Sequence, residues 1–141
     1  FIIGIGDNLI REKIFNRYFQ KNRSKLISII HPTASISQNV KIGVGSVIFA
    51  NSVISNNSKL GICVIINNLS TIDHDAKISD FVHISPGVSI AGNVKIQELN
   101  WIGIGVNIIN NINIGKSSII GAGSIILSNI KPYSKIVGVH K

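Results

Sequence analysis

The stretch "STIDHDAKISDFVHISPGVSIAGNV", residues 70–94, sets His74 and His83 among Ile, Val, Gly and Ala residues, in a chain with only 4 histidines. Asp73 and Asp75 flank His74. A carboxylate beside an imidazole favours the imidazolium form and fixes the tautomer, which suits a general base. A lone surface histidine is most often just a polar residue, and His31 before Pro32 and His140 near the end fit that plain reading. What His74 and His83 can do depends on the elements that carry them.

A repeat sets those elements. Every sixth residue from Ile30 to Ile126 is aliphatic, seventeen matches in a row, with Leu60 the only one that is not Ile. Two residues before each sits mostly a small or β-branched side chain, such as Ala34, Ser46, Ser58, Val64 or Ala76. Strand side chains alternate, so both positions point inward and only small residues fit at the second. Three residues after the aliphatic, Gly or Asn is common (Gly45, Asn51, Asn57, Gly87, Asn93, Gly105). Both tolerate the positive φ that a corner after a short strand requires. One hexad cannot bury its own apolar face, so the pattern predicts stacked coils.

Composition agrees. Apolar residues make up 45% of the 141, too many for a disordered chain, and charged residues only 14%. The net charge of +8 is dispersed apart from a loose cluster at Arg17, Lys21, Arg23 and Lys25. No basic run interleaves with aromatics, which argues against nucleic-acid binding. No apolar run is long enough to span a bilayer, so no membrane insertion is expected. Cys63 is the only cysteine, which rules out an intrachain disulfide or a cysteine-based zinc site and fits a reducing, cytoplasmic setting.

Residues 1–30 break the repeat. "FIIGIG" reads as a short strand, and Asp7 or Asn8 can cap the helix after it. Leu9, Ile10, Ile14, Phe15, Tyr18 and Phe19 form a stripe at helical spacing. "KLISII" reads as a returning strand. The expected division is therefore 1–30, a partial βαβ unit like the back half of a small nucleotide-binding domain, and 31–141, the coils. "GIGDNL" is open to two readings, a Gly-rich phosphate turn with Leu9 in place of the third Gly, or a packing turn. The chain begins at Phe1 inside a strand-like stretch, as a fragment would, so the lack of a leader excludes nothing.

The uninterrupted hexads resemble those of the hexapeptide-repeat proteins, which implies a left-handed parallel β-helix, mainly β, with three hexads per triangular coil and five to six coils here. At eighteen residues per coil, His74 and Gly92 occupy the same corner one coil apart, about 4.8 Å. His74, two residues after Ile72, should reach solvent. His83, one before Ile84, falls on a different face.

The segment "IDHDAKISDFVHISPGVSIAGNV" also resembles one subfamily, the acetyl-CoA-dependent acetyltransferases of nucleotide-linked amino sugars and of sialic acid in bacterial glycan synthesis. "FIIGIGDNLIREKIF" is similar to the third strand and following helix of their N-terminal sugar-nucleotide-binding domain, and "IIGAGSIIL" and "KIVGV" to their last coil and tail. The resemblance implies His74 as general base, with Asp75 raising its basicity. It places His83, Ser85 and Gly92 at acetyl-CoA, the Gly92 N–H at the thioester oxygen, and Ile104 and Ala122 along the pantetheine and adenine wall. Gly6 and Asp7 fall near the sugar nucleotide. It further implies a homotrimer with sites at subunit boundaries and no metal. The family's first strand and its nucleotide-gripping turn have no counterpart here, and "VGVHK" replaces the usual "VGVPAK". Transfer to an amine is the expected reaction, with sialic acid O-acetylation as the alternative. A γ-type carbonic anhydrase would need a third zinc histidine in mid-solenoid, where only His74 and His83 occur. A non-catalytic ice-binding solenoid would need rows of Thr, and only Thr33 and Thr71 exist.

Overall fold

A computed structural model describes residues 1–141. From Ile29 onward the hexad lays down a two-residue strand every six residues as far as Ile125–Ile126, and two further pairs, Lys135–Ile136 and Val139–His140, close the tail. All pairings are parallel, and within the coils each strand meets the one eighteen residues away: His83 lies between Ile65 and Trp101. The strands build three sheets of seven, seven and five, the faces of a solenoid of about six turns. The first face carries Ile29, His83 and Trp101, the second Thr71 and Ser89, and the third Lys59 and Lys77.

From Ile36 to Ile136 the second residue of each strand turns inward. Ile54, Ile72, Ile84, Ile96 and Ile102 are each 0% exposed and stack with Val64, Val82, Val94 and Val106 as one apolar column. Serine at the small inward position serves two coils at once. The Ser58 hydroxyl donates to the Asp73 carbonyl at 2.8 Å and accepts the Ala76 N–H at 3.2 Å, which pins the corner between those residues from below. Every sixth residue from Gly45 to Gly123 has positive φ, including Leu69, Phe81 and Leu99. A side chain in that region costs roughly 1–2 kcal/mol. The corner amides offset it by bonding to the coil below: Asp75 N–H to Asn56 O at 3.0 Å and Asn93 N–H to His74 O at 2.9 Å.

The N-terminal unit departs from the βαβ expectation. Its helix is present, α1 (Asn8–Tyr18), with Asp7 accepting the Ile10 N–H at 2.8 Å as N-cap. No strand forms within residues 1–7, and Ile29–Ile30 is the first strand of the solenoid, paired with Val47–Ile48. Phe1 alone exchanges backbone bonds with Lys25 and Ile27, too short a pairing to hold as a sheet. The apolar stripe sets the packing face in part: Phe15 is buried with Ile14 and Phe19 packed beside it, but Leu9, Ile10 and Tyr18 are exposed.

Arg11 anchors the rest of that face. Its guanidinium, 1% exposed, donates to the carbonyls of Cys63 (2.9 Å), Ile5 and Gly6 (2.9 Å each) and Phe81 (2.8 Å), and to Asn8 Oδ1 (2.9 Å). Four bonds to backbone carbonyls and one to the Asn8 side chain satisfy all of its charge-bearing nitrogens, while Leu9, Ile10 and Tyr18 stay exposed. Burial lowers the Arg11 pKa to about 10, so it stays charged at neutral pH, and burial pushes the Cys63 thiol up to about 11. Cys63 is therefore a buried, unreactive thiol.

Candidate active site

His74 projects from the corner between the second and third faces. Its backbone is set by Ser58 below and by Asp73, whose Oδ1 accepts the His74 N–H at 2.7 Å. Its ring Nδ1–H donates to Asp75 Oδ2 at 2.8 Å, because an ionised carboxylate can only accept. Nε2 is left with its lone pair free. The hydrogen bond to Asp75, reinforced by the Asp73 charge, raises the His74 pKa above its ordinary 6.5, and the same bond lowers that of Asp75.

The ring rests on Gly92, one coil later. A Cβ at Gly92 would stand 2.7 Å from both Cε1 and Nε2 of His74, so only glycine leaves this seat open. The Gly92 N–H meets no acceptor in the chain, although the Gly92 carbonyl accepts from Asn111 at 3.1 Å. A free basic nitrogen and a free amide donor thus lie side by side at one corner.

His83 is half-buried on the first face, so a single chain keeps it and His74 on different faces. Its Nδ1–H donates to the Gly6 carbonyl at 3.1 Å, and Arg11 clamps that same carbonyl. Its ring stacks on Trp101, centroids 5.6 Å apart and planes 6° from parallel, while Trp101 Nε1–H donates to Ser85 Oγ at 3.1 Å. Burial lowers the His83 pKa below 6.5; the Gly6 carbonyl opposes this and the Arg11 charge adds to it.

Ser85, Trp101, Ile104, Ile119 and Ala122 line a mostly apolar groove of about 400 Å³ along the same edge. It gathers three residues expected at the coenzyme, Ser85, Ile104 and Ala122, and adds Trp101 and Ile119, which the motif reading passed over. The eighteen-residue period could have found them, since they follow His83 by one coil and two. Gly6 and Asp7 adjoin this groove rather than His74: Asp7 borders a cleft of about 230 Å³ with Leu9, Trp101 and Ile119. No group of three or more His, Cys, Asp or Glu side chains is arranged to hold a metal ion. No helix is long and apolar enough to cross a membrane.

No family model matches the chain, and no curated protein matches it in sequence. Solved structures do. A histidine mutant of perosamine N-acetyltransferase from Caulobacter crescentus, in complex with CoA and GDP-perosamine, is 30% identical with a TM-score of 0.91, covering 97% of this chain and 65% of that one. The acetyltransferase domain of PglB from Neisseria gonorrhoeae is 34% identical with a TM-score of 0.91, over 97% and 66%. WeeI from Acinetobacter baumannii is 27% identical with the same TM-score of 0.91, over 97% and 66%. The PglB domain has also been solved in complex with acetyl coenzyme A. This chain spans about two thirds of the length of these proteins.

Proposed function

We propose that this chain, whose solenoid is that of the hexapeptide-repeat acetyltransferases, transfers acetyl from acetyl-CoA to the amino group of a nucleotide-linked amino sugar. The observation that carries the reading is the His74 corner: a free Nε2 on a ring oriented by Asp75 and seated on Gly92, whose amide is unengaged. The likeness to a structure that holds CoA and GDP-perosamine supports both the coenzyme and the class of acceptor.

In this mechanism the acceptor nitrogen attacks the thioester carbon and a C–N bond forms. Its proton passes to His74 Nε2, while Asp75 holds the ring and stabilises the imidazolium. The carbonyl oxygen becomes an oxyanion against the Gly92 N–H. As the intermediate collapses the C–S bond breaks, and the CoA sulfur leaves with the proton from the imidazolium. His83 and Ser85 hold the coenzyme end, and Ile104 and Ala122 supply its apolar wall. The exposed groove on the first face and the His74 corner belong together when copies pack side by side about a three-fold axis, with Gly6 and Asp7 of one copy on the sugar-nucleotide side. The lone buried Cys63 suits work in the reducing cytoplasm.

The test is thiol release from acetyl-CoA with GDP-, UDP- and dTDP-linked 4-amino sugars and with sialic acid, in wild type and His74→Ala. Release that needs an amino sugar and needs His74 is expected. Release with sialic acid only, or undiminished release in His74→Ala, would overturn the amine reading or the base, respectively.

A further inference from the structure

Residues spaced by one coil share the corner next to His74. Asn57, Asp75, Asn93 and Asn111 each follow an inward Ile by three positions and have left-handed φ, 61°, 58°, 57° and 64°. Residues in one conformation at one corner, about 4.8 Å apart from coil to coil, send their side chains out in parallel as a column. The upper pair shows how such a column bonds: Asn93 Nδ2–H donates to Asn111 Oδ1 at 2.8 Å. Stacked amides form ladders of this kind. This one contains a single carboxylate, and it is the one that orients the His74 ring.

The backbone of the corner is already fixed. Ser58 Oγ bonds to the Asp73 carbonyl and the Ala76 N–H, and the Asp75 N–H donates to the Asn56 carbonyl at 3.0 Å. What stays free is rotation of the exposed Asp75 side chain. Asp73 cannot restrain it, being a like charge whose Oδ1 takes the His74 N–H. The Asn93 amide is committed to Asn111. Asn57 stands one coil below with a neutral donor. The bond to His74 is the main cause of the lowered Asp75 pKa, and a hydrogen bond from the Asn57 amide adds to it.

We propose that Asn57 is a positioning residue whose side-chain amide holds the Asp75 carboxylate in line with the His74 ring. The unit that moves the proton is then drawn from two successive coils, with Asn57 acting through Asp75 on His74. Its effect on turnover rests on the transferase reading above; its hold on the carboxylate and the ring does not. A neutral amide suits the place, because it fixes Asp75 without cancelling the charge that stabilises the imidazolium.

Asn57→Gly is the mildest deletion of the amide, since glycine fills the equivalent turn position with positive φ at Gly45, Gly87 and Gly105. Asn51→Gly is the control: Asn51 has a φ of 56° at another corner, and Leu69 rather than a carboxylate lies one coil above it. A ¹³C titration of Asp75 and ¹H–¹⁵N spectra of the His74 ring read the contact in the full chain without turnover. In Asn57→Gly the Asp75 pKa should rise, and the neutral His74 ring should show a larger share of the Nε2–H form. The kcat should fall roughly three- to tenfold, the worth of one hydrogen bond, with the acetyl-CoA KM unchanged. Asn57→Asp keeps the corner but sets a second carboxylate against the first, so the Asp75 pKa should rise further and kcat fall further. The other charges near Asp75, which are Asp73 on the corner and Lys59 and Lys77 beside it, are the same in all these variants. Asn51→Gly should match wild type throughout. Unmoved Asp75 and His74 signals in Asn57→Gly, or equal shifts in Asn51→Gly, would overturn the proposal. Shifted signals in a chain that transfers acetyl to no acceptor would count against the transferase reading and leave this contact standing.

Discussion

His74 and His83 stand nine residues apart, and each gives its Nδ1–H to a fixed oxygen while Nε2 stays free. Their surroundings then pull them in opposite directions. His74 is exposed, held between two aspartates and seated on a glycine, so protonation is favoured. His83 is half-buried under Trp101 with a guanidinium nearby, so the neutral ring is favoured. Two imidazoles of one tautomer thus suit two tasks: one takes a proton and returns it, and the other stays neutral and accepts a hydrogen bond. Environments that push paired titratable groups apart are how such assignments are made.

The largest break in that contrast is removal of the proposed base. His74→Ala should lower kcat by about 10²–10⁴ and leave the melting temperature near wild type, since the side chain touches no part of the apolar column. Next is Gly92→Ala. The new Cβ claims the seat of the His74 ring, which must swing out of line with Asp75. A loss of about 10² in kcat is expected from misplacement of that order, again with the coils intact by circular dichroism.

Asp75→Asn sharpens the contrast rather than breaking it. A base with a raised pKa is protonated and idle below that pKa, so kcat/KM rises with pH through it. Losing the carboxylate brings the His74 pKa down, because Asp75 is the largest cause of its rise. The acid limb should therefore move to lower pH, while the plateau falls about tenfold as the ring loses its orienting partner. The smallest effect belongs to the other histidine. Trp101→Leu removes the stacked ring and the donor to Ser85. The acetyl-CoA KM should rise roughly two- to tenfold, the worth of an aromatic pair, with kcat little changed.

The coils were legible because one residue type recurs at one spacing, and nothing else makes Ile at every sixth position useful. The His74 corner was legible for a related reason: Asp73, His74 and Asp75 are adjacent in sequence, and Gly92 follows one coil later in a known period. Trp101 obeys the same period but lies beyond the motif, which ends at Val94. Arg11 was not legible at all. Its partners, Cys63 and Phe81, are backbone carbonyls, and a carbonyl leaves no mark on residue type. The apolar stripe of α1 told only part of the packing face for that reason, and the strand-like "FIIGIG" misled because its hydrophobicity could not reveal that no sheet would form there. The Gly6 carbonyl that holds His83 lay equally out of reach.

The most direct test is a long-range ¹H–¹⁵N titration of the histidine side chains, assigned with His74→Ala and His83→Gln. His74 is expected to titrate above 6.5 and His83 below it, with both neutral rings carrying their proton on Nδ1. A His83 that protonates before His74 as pH falls, or a neutral His74 protonated on Nε2, would contradict the division of labour between the two rings.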